Sequence, residues 1–358
     1  MPKITRIVAR EIIDSRAIPT IEVSVLTDSG HFGTASIPSG ASTGRNEDVE
    51  LRDNDPTRYH GKGVLKAVSN VNSLLGPHLI SQEISEQENL DRLMLDLDGT
   101  PNESKLGANA ILAISIACLK TAASCARLPL FKYIGDRYRP GLKLQVPGPI
   151  FNLINGGKHG AGNLDFQEFH VIPSTRLSYK EALRAGAETW VSLRTELIHR
   201  NAIHSVGDEG GFAPNLFTNA DALELLALVI KNSPYRLNQD LFLGLDVAAD
   251  EFYQDGKYNI KDSPKPMSTE ELISFYVNLV RVYKKPSTTT VATPRLSNLT
   301  RLARLPRLLS SCALPLRIIS RRLFLIAREK LTILLLPILP WAWVHNTPNW
   351  APQIVANA

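Results

Sequence analysis

Cysteine, methionine and tryptophan are scarce in this sequence, with three, three and four copies among 358 residues. Cys118, Cys125 and Cys312 have neither the even number nor the spacing of a disulfide framework or a zinc site. The first two lie in an Ala/Ile-rich helical stretch, where buried thiols in a reducing compartment are the simplest interpretation. This composition excludes a small secreted scaffold held together by disulfides.

The sequence pattern also lacks a signal peptide and a clear membrane span. The start, Met1–Ser15, alternates like a strand and has no continuous apolar core. The most membrane-like segment, Leu331–Val344, is shorter than the roughly 20 residues of a spanning helix. Pro337 and Pro340 also interrupt it. We therefore expect a soluble, cytoplasmic protein with no membrane partner.

Acidic residues almost disappear after Lys285. The last 73 residues hold one acid, Glu329, against nine Lys and Arg, so the net charge of +5 divides into +8 there and −3 before it. The mildly acidic first part argues against a nucleic-acid partner. Residues 286–358 keep no helical or alternating period. They are open to three interpretations: a poorly folded end, a basic membrane-surface segment or a functional extension.

The first part of the chain shows strands followed by helices. β-branched residues predict three strands, Ile4–Ile13, Thr20–Thr27 and His31–Ile37. Apolar spacing predicts three helices, over Val64–Ile80, Leu90–Leu97 and Leu106–Ala126. The second is expected to begin with a capping box, Ser85–Glu88, and the third is apolar nearly all round and therefore buried. This order predicts a small α+β domain over residues 1–140.

From residue 141 to 285 short apolar strands alternate with helices. The predicted strands are Val146–Ile154, Phe166–Ile172 and Leu241–Val247, and the predicted helices are Ser178–Arg200, Ala220–Ile230 and Ser268–Tyr283. Capping boxes open the first and last of these helices, at Ser178 and Ser268. The alternation implies a parallel sheet or barrel. The alternation predicts another strand after Tyr283, and none is legible there.

Several short motifs could carry chemistry. Gly207–Gly211 places two acids between glycines, which lets a carboxylate approach a ligand, although such a run also forms plain turns. Asp246 ends an apolar strand and is either a metal ligand or base at the strand end or the N-cap of a helix. Ser39–Gly44 is a small, hydroxyl-rich loop that is either a linker or closes over phosphate.

Two further motifs lie in the predicted barrel domain. In the run from Phe166 to His170, period-two geometry places Glu168 on the same face as both, which favours a polar site around its carboxylate. Asn155–His159 is a glycine-rich loop that matches neither of the common nucleotide-binding patterns. The lone His159 in such a loop is commonly structural or solvated.

In their order and spacing these motifs resemble the enolase (phosphopyruvate hydratase) family. The resemblance runs from Ile4 to about Tyr283. The segments that carry it are Glu11–Arg16, Ser39–Gly44, Leu106–Leu112, Asn155–Gly157 with His159, Gln167–Phe169, and Gly207–Gly211 followed by Ala213–Asn215.

The resemblance implies a fold, an activity and a set of site residues. The fold it implies is an α+β domain followed by an α/β barrel domain of TIM type, which is truncated here after about three strands because none is legible after Tyr283. Enolases remove water from 2-phosphoglycerate to give phosphoenolpyruvate in glycolysis, use two magnesium ions and are commonly homodimers. By resemblance, Glu209 assists departure of the hydroxyl as a catalytic acid, and Glu168 acts beside it and contacts the substrate. His159 reaches the substrate from its loop. Asp246 is the first ligand of one magnesium ion, and Ser42 binds the second.

The chain also departs from the family pattern. Ala17-Ile18 stand where the family usually has Gly-Asn in a turn. After Lys285 there is no counterpart of the two further acidic ligands, the lysine base, the Arg-Ser pair or the second lysine, and only Glu329 and Lys330 are available.

We therefore predict an enolase-family lyase with an incomplete magnesium site and defective activity. The alternative is a non-catalytic fragment that binds or dimerises with intact enolase. The composition of residues 286–358 also resembles an out-of-frame translation of an enolase reading frame.

Overall fold

The computed structural model describes residues 1–40, 47–141, 143–207 and 209–283, together with the backbone of 332–334. The chain divides into two compact units, one of Met1–Leu144 and one that starts at Gln145. A separate cluster of buried apolar side chains lies in each unit. Each unit therefore has a hydrophobic core of its own.

The first unit begins with a three-stranded antiparallel sheet. Its strands are β1 (Ile4–Ile13), β2 (Pro19–Thr27) and β3 (Phe32–Ser36), in that order across the sheet. Alternate residues of β2, such as Val23 and Val25, are buried, whereas Ser24 between them is exposed. The period-two pattern therefore buries one face of the sheet. All three strands predicted here are confirmed.

Five α-helices follow among the described residues of the first unit: α1 (Leu65–Asn70), α2 (Gly76–Leu79), α3 (Gln87–Asp98), α4 (Ala108–Cys125) and α5 (Leu130–Tyr138). A π-helical turn, Val71–Leu75, separates α1 from α2. The helix predicted over this stretch is therefore irregular, and Pro77 contributes because it has no N–H to donate. The capping box predicted for α3 is wrong, because its N-cap is Glu86, which makes no side-chain cap bond. Helix α5 was not predicted.

Helix α4 is the central helix of the first unit. Most of its residues are buried, as predicted, and it packs against β2 and β3. Gly33 of β3 allows the close approach, since a Cβ there would lie 2.7 Å from the backbone nitrogen of Thr121. In the part of the chain that the structure describes, α4 is the one helix long and apolar enough to cross a membrane, and its burial is that of a core helix.

The second unit contains strands and longer helices. They are β4 (Phe151–Asn155), β5 (Glu168–Pro173), α6 (Tyr179–His199), α7 (Asn219–Lys231), β6 (Leu241–Asp246), the short hairpin β7 (Tyr253–Gln254) and β8 (Lys257–Tyr258), and α8 (Thr269–Tyr283). Both capping boxes predicted here are confirmed. Ser178 caps α6 reciprocally with Glu181. Ser268 and Glu271 exchange bonds of 2.7 and 3.3 Å before α8.

The expected parallel sheet is wrong for the strands that the structure describes. β5 lies between β4 and β6 and is antiparallel to both. The connection from β4 to β5 contains only a short 3-10 turn, and β5 reaches β6 through two helices. Parallel neighbours need a single crossover helix instead. A short strand, β9 (Thr332–Leu334), pairs antiparallel with the other edge of β6. The strand expected directly after Tyr283 lies outside the described residues.

The two faces of this sheet differ in chemistry. Phe169, Val171, Leu243 and Leu245 belong to the hydrophobic core that α6, α7 and α8 share. The side chains that alternate with them point to the opposite face, because successive residues of a strand project to opposite sides. That second face carries acidic side chains at one end of the strands.

Candidate active site

One row of polar side chains crosses the sheet where β4 and β6 end and β5 begins. Asn155 of β4 pairs with Glu168 of β5, which pairs in turn with Asp246 of β6. Directly opposed residues of antiparallel strands project from the same face. The carboxylates of Glu168 and Asp246 therefore lie side by side on one face of the sheet.

Glu168 is mostly buried, and its Oε2 lies 2.7 Å from Nε2 of His170. The amide of Gln167 donates to its Oε1 at 3.4 Å. The predicted face shared by Glu168 and His170 is confirmed. For Phe166 the prediction is wrong, because β5 begins only at Glu168 and the Phe166 ring packs against Phe169 in the core. Burial of such a ring contributes about 2 kcal/mol, which favours the core position.

Asn219, at the start of α7, fixes the residues that lead into β5. Its Oδ1 accepts hydrogen bonds from the N–H groups of Asp165 (3.0 Å) and Phe166 (2.9 Å). Its amide nitrogen donates to the carboxylates of Asp165 and Asp262. Asp262 also accepts from the N–H of Ala220 at 2.9 Å. Sequence reasoning missed this network because its members are far apart along the chain.

The acidic glycine-rich motif, Gly207–Gly211, forms a tight hairpin beside β4. The N–H of its first residue donates to the carbonyl of its last at 2.7 Å. The next residue, Phe212, forms a bridge to Ile154 of β4. Gly211 has no room for a side chain, because a Cβ there would clash with Oδ1 of Asn155. Close packing against β4 therefore requires the glycine.

The side chain of Glu209 projects from this hairpin toward His159 and Asn152. Its Oε1 lies 3.3 Å from Nε2 of His159, and Asn152 donates to its Oε2 at 3.3 Å. Asn152 lies on β4 directly opposite His170 of β5. The hairpin acid is therefore joined to the face that carries Glu168.

His159 ends a short 3-10 turn, Gly157–His159. Gly157 has a φ of +52°, a conformation that favours glycine. Lys158 forms an ion pair with Glu251, with 2.6 Å between Nζ and Oε1. The imidazole of His159 is buried against Glu209, so the interpretation of a solvated loop histidine is wrong.

Asp246 closes β6 and is 6% exposed. Its Oδ1 accepts a hydrogen bond from the N–H of Ala248 at 3.3 Å. The alternative role as a helix N-cap is wrong, because the following 3-10 helix, Ala249–Phe252, has Ala248 as its N-cap. The carboxylate of Asp246 therefore remains part of the row with Glu168.

In the first unit, Ser39 anchors the start of the loop predicted to carry Ser42. Its hydroxyl donates to Oδ2 of Asp14 at 2.5 Å, and its carbonyl accepts from Arg16 at 2.8 Å. Burial raises the pKa of Asp14. The hydrogen bonds from Ser39 and from the N–H groups of Ile18 and Arg16 outweigh that effect and hold the pKa below its usual value. The loop thus starts from a fixed, charged anchor.

Magnesium prefers hard oxygen ligands. Glu168 and Asp246 supply carboxylates, and Oε1 of Gln167 is a buried oxygen with no hydrogen-bond partner among the described residues. Within the described ranges, no group of three or more His, Cys, Asp and Glu side chains is placed to hold a metal ion. Ser42 and Asp208 lie outside those ranges. The described residues suit magnesium in their chemistry but do not by themselves enclose the ion.

Sequence reasoning missed Asn152 as a site residue. The strand Phe151–Asn155 holds two asparagines among large apolar residues and is buried throughout. A buried amide needs hydrogen-bond partners, so polar residues in an apolar strand indicate a polar neighbour. That signal was present in the sequence.

An α+β unit followed by strands and helices, with acids gathered at one end of the strands, is typical of an enzyme with its site at the strand ends. Residues 4–134 match the family model described as enolase, N-terminal domain, and residues 143–290 match enolase, C-terminal TIM barrel domain. These matches cover more than three-quarters of the chain, which belongs to the enolase family of lyases. Its second domain is of TIM-barrel type, and among the described residues three strands of its main sheet, β4, β5 and β6, lie before Tyr283.

Proposed function

We propose that this chain carries part of a magnesium-dependent site for the glycolytic dehydration of 2-phosphoglycerate to phosphoenolpyruvate. The observation that carries the proposal is the direct pairing of Glu168 with Asp246, with Glu209 joined to the same face through Asn152. The reaction removes a proton beside a carboxylate and expels a hydroxyl. It therefore needs acidic groups at the leaving hydroxyl and electrostatic stabilisation of the intermediate.

In this proposal each acid has a distinct role. Glu209 donates a proton to the departing hydroxyl, while Asn152 donates a hydrogen bond to one of its oxygens and the His159 ring lies 3.3 Å from the other. Glu168 contacts the substrate beside it. Two magnesium ions would stabilise the negative charge of the intermediate, and by the family resemblance Asp246 would be a ligand of the first and Ser42 of the second.

We also propose that the chain by itself turns over its substrate very slowly. The family resemblance requires a lysine base and further acidic ligands, and residues 286–358 offer a single lysine, Lys330, and a single acid, Glu329. Neither lies in a recognisable motif. Loss of a general base alone reduces a rate by about 10²- to 10⁴-fold. The proposed site thus lacks the base that the chemical step needs.

Two measurements on the purified full chain test these proposals. The first is calorimetric titration with phosphoenolpyruvate in magnesium buffer, and the second is formation of phosphoenolpyruvate from 2-phosphoglycerate beside an intact enolase. We expect binding that Asp246→Asn abolishes and that Glu224→Gln, on the exposed face of α7, retains. Absence of binding would contradict the proposed site. Turnover close to that of the intact enzyme would contradict slow conversion.

A second candidate function is a non-catalytic partner of intact enolase. The observation that favours it is the separate hydrophobic core of the first unit, which lies within Met1–Leu144. Family enolases are commonly homodimers, so the chain would pair with an intact subunit in the cytoplasm. Co-purification of the two chains supports this candidate, and a strictly monomeric chain in their mixture counts against it.

A further inference from the structure

His170 is a site residue to which the resemblance assigns no role. It lies on β5 two residues after Glu168, on the same face, and is 7% exposed. Its Nε2 is 2.7 Å from Oε2 of Glu168. Its other ring nitrogen, Nδ1, is buried and has no hydrogen-bond partner among the described residues.

This geometry selects one tautomer of the imidazole. An ionised carboxylate can only accept, so Nε2 of His170 carries the proton that it shares with Glu168. A second proton on Nδ1 would be a buried donor without a partner, which costs about 1–3 kcal/mol. The tautomer with its proton on Nε2 therefore fits the site. Its bond to the carboxylate is charge-assisted and stronger than a neutral hydrogen bond.

The backbone holds the His170 ring in this place. The residue pairs with Asn152 on β4 and with Gly244 on β6, so it sits in the centre of three strands. Gly244 leaves space beside it, because a Cβ there would lie 3.4 Å from the Cβ of His170 and 2.7 Å from the side chain of Ile172. A group on a central strand is more rigid than a group on a loop.

We propose that His170 is a positioning residue that fixes the carboxylate of Glu168 through its Nε2–H before a substrate binds. Its effect on ligand affinity rests on the proposed function, whereas its bond to Glu168 does not. Two separate measurements can therefore distinguish failure of the bond between His170 and Glu168 from failure of the proposed function.

The first measurement is NMR of the full chain labelled with ¹⁵N-histidine. We expect a slowly exchanging ring N–H with an unprotonated Nδ1, which disappears in His170→Gln and is thereby assigned. Glu168→Ala should abolish the slow exchange and the single tautomer, and Glu251→Ala should change neither. An unprotonated Nε2, or an N–H that Glu168→Ala leaves unchanged, would overturn the proposal.

The second measurement is a double-mutant cycle on phosphoenolpyruvate affinity. His170→Leu should weaken binding by about tenfold, since a charge-assisted bond to the carboxylate is lost, and His170→Gln should recover most of it because its amide also donates. His199→Gln, on an exposed helix end, should have no effect. In a Glu168→Ala background His170→Leu should add nothing further. If the effects of His170→Leu and Glu168→Ala on affinity are fully additive, His170 has no positioning role. A parent chain that binds no phosphoenolpyruvate would refute the proposed function, and the NMR result would still decide the role of His170.

Discussion

Glu168 and Asp246 oppose each other directly across β5 and β6, so two carboxylates share one face of the sheet. Like charges at directly opposed positions destabilise an antiparallel pair. Since both groups are mostly buried, water screens their repulsion less than at an exposed surface. Such an arrangement lowers stability and is typical of a site that binds a cation or a polar ligand.

The repulsion predicts that Asp246→Asn stabilises the chain. In magnesium-free buffer we expect the free energy of unfolding to rise by about 1 kcal/mol, measured by urea denaturation. Asp250→Asn, an exposed acid shortly after β6, is the matched control and should change little. Magnesium should stabilise the parent chain and not the Asp246→Asn variant. A variant that is less stable than the parent without magnesium would contradict the prediction.

The close packing of the Gly207–Gly211 hairpin predicts that Gly211→Ala is strongly destabilising. A Cβ at Gly211 would clash with the side chain of Asn155 and lie 3.1 Å from the carbonyl oxygen of Asn152. We expect a loss of about 3 kcal/mol, as for an overpacked core. Gly148→Ala is the control, because a Cβ there has no neighbour within 4 Å.

Trp190 provides an optical readout of this hairpin. Its ring stacks on Phe212 at 4.6 Å, and its Nε1 donates to the carbonyl of Gly210 at 3.2 Å. In a background in which the other three tryptophans are phenylalanine, Gly211→Ala should shift the Trp190 emission to longer wavelength in the native chain. An unshifted spectrum together with unchanged stability would show that the hairpin accommodates the side chain.

Local patterns predicted much of the fold. The three strands of the first unit and the capping box at Ser178 follow from residues close together in the chain. The antiparallel order of β4, β5 and β6 does not, because it depends on how the connections cross the sheet. Phe166 shows the same limit. Its alternation with Glu168 is regular, but the strand begins after it and the ring joins the core instead.

The residues of the candidate site also divide into those that local motifs predict and those that depend on tertiary packing. The motifs predict Glu168, Glu209 and His159 as site residues, and the structure places Glu209 against His159 and Glu168 against His170. The network around Asn219 could not be predicted, because it joins segments that lie more than 40 residues apart. Such contacts follow from tertiary packing and leave no local pattern.

The departure from the family at Ala17 predicts a stabilising substitution. Ala17 has a φ of +58° in the turn after β1, a region that costs a residue with a Cβ about 1 kcal/mol. Ala17→Gly should therefore raise the free energy of unfolding by about that amount. Ala187→Gly, at an exposed position inside α6, should lower it by about 1 kcal/mol. If both substitutions change the free energy of unfolding in the same direction in urea denaturation, the turn assigned to Ala17 is wrong.

Asp91 forms a buried polar cluster in the first unit. Gln87 donates to its Oδ1 at 2.9 Å and to the hydroxyl of Ser115 at 3.0 Å. Burial raises the pKa of Asp91 to about 6 from its ordinary 3.8, although hydrogen bonds from Ser115 and Gln87 oppose the shift, and the charge of Glu88 adds to it. The folded state therefore holds a proton over a pH range in which the unfolded state has released it.

This shift predicts a pH dependence of stability that Asp91→Asn removes. Because the folded pKa is raised, the contribution of Asp91 is complete below pH 3.8 and is lost as the pH rises through about 6. The parent therefore loses about 3 kcal/mol of stability over this pH range. Asparagine does not ionise, so the Asp91→Asn variant keeps its stability. The variant and the parent should differ little in urea denaturation near pH 4, and the variant should be the more stable by up to about 3 kcal/mol above about pH 7. Asp96→Asn, an exposed acid on the same helix, should show no such change with pH. If the free energies of unfolding of the parent and Asp91→Asn differ by the same amount at both pH values, the carboxyl of Asp91 is not the group that makes stability depend on pH.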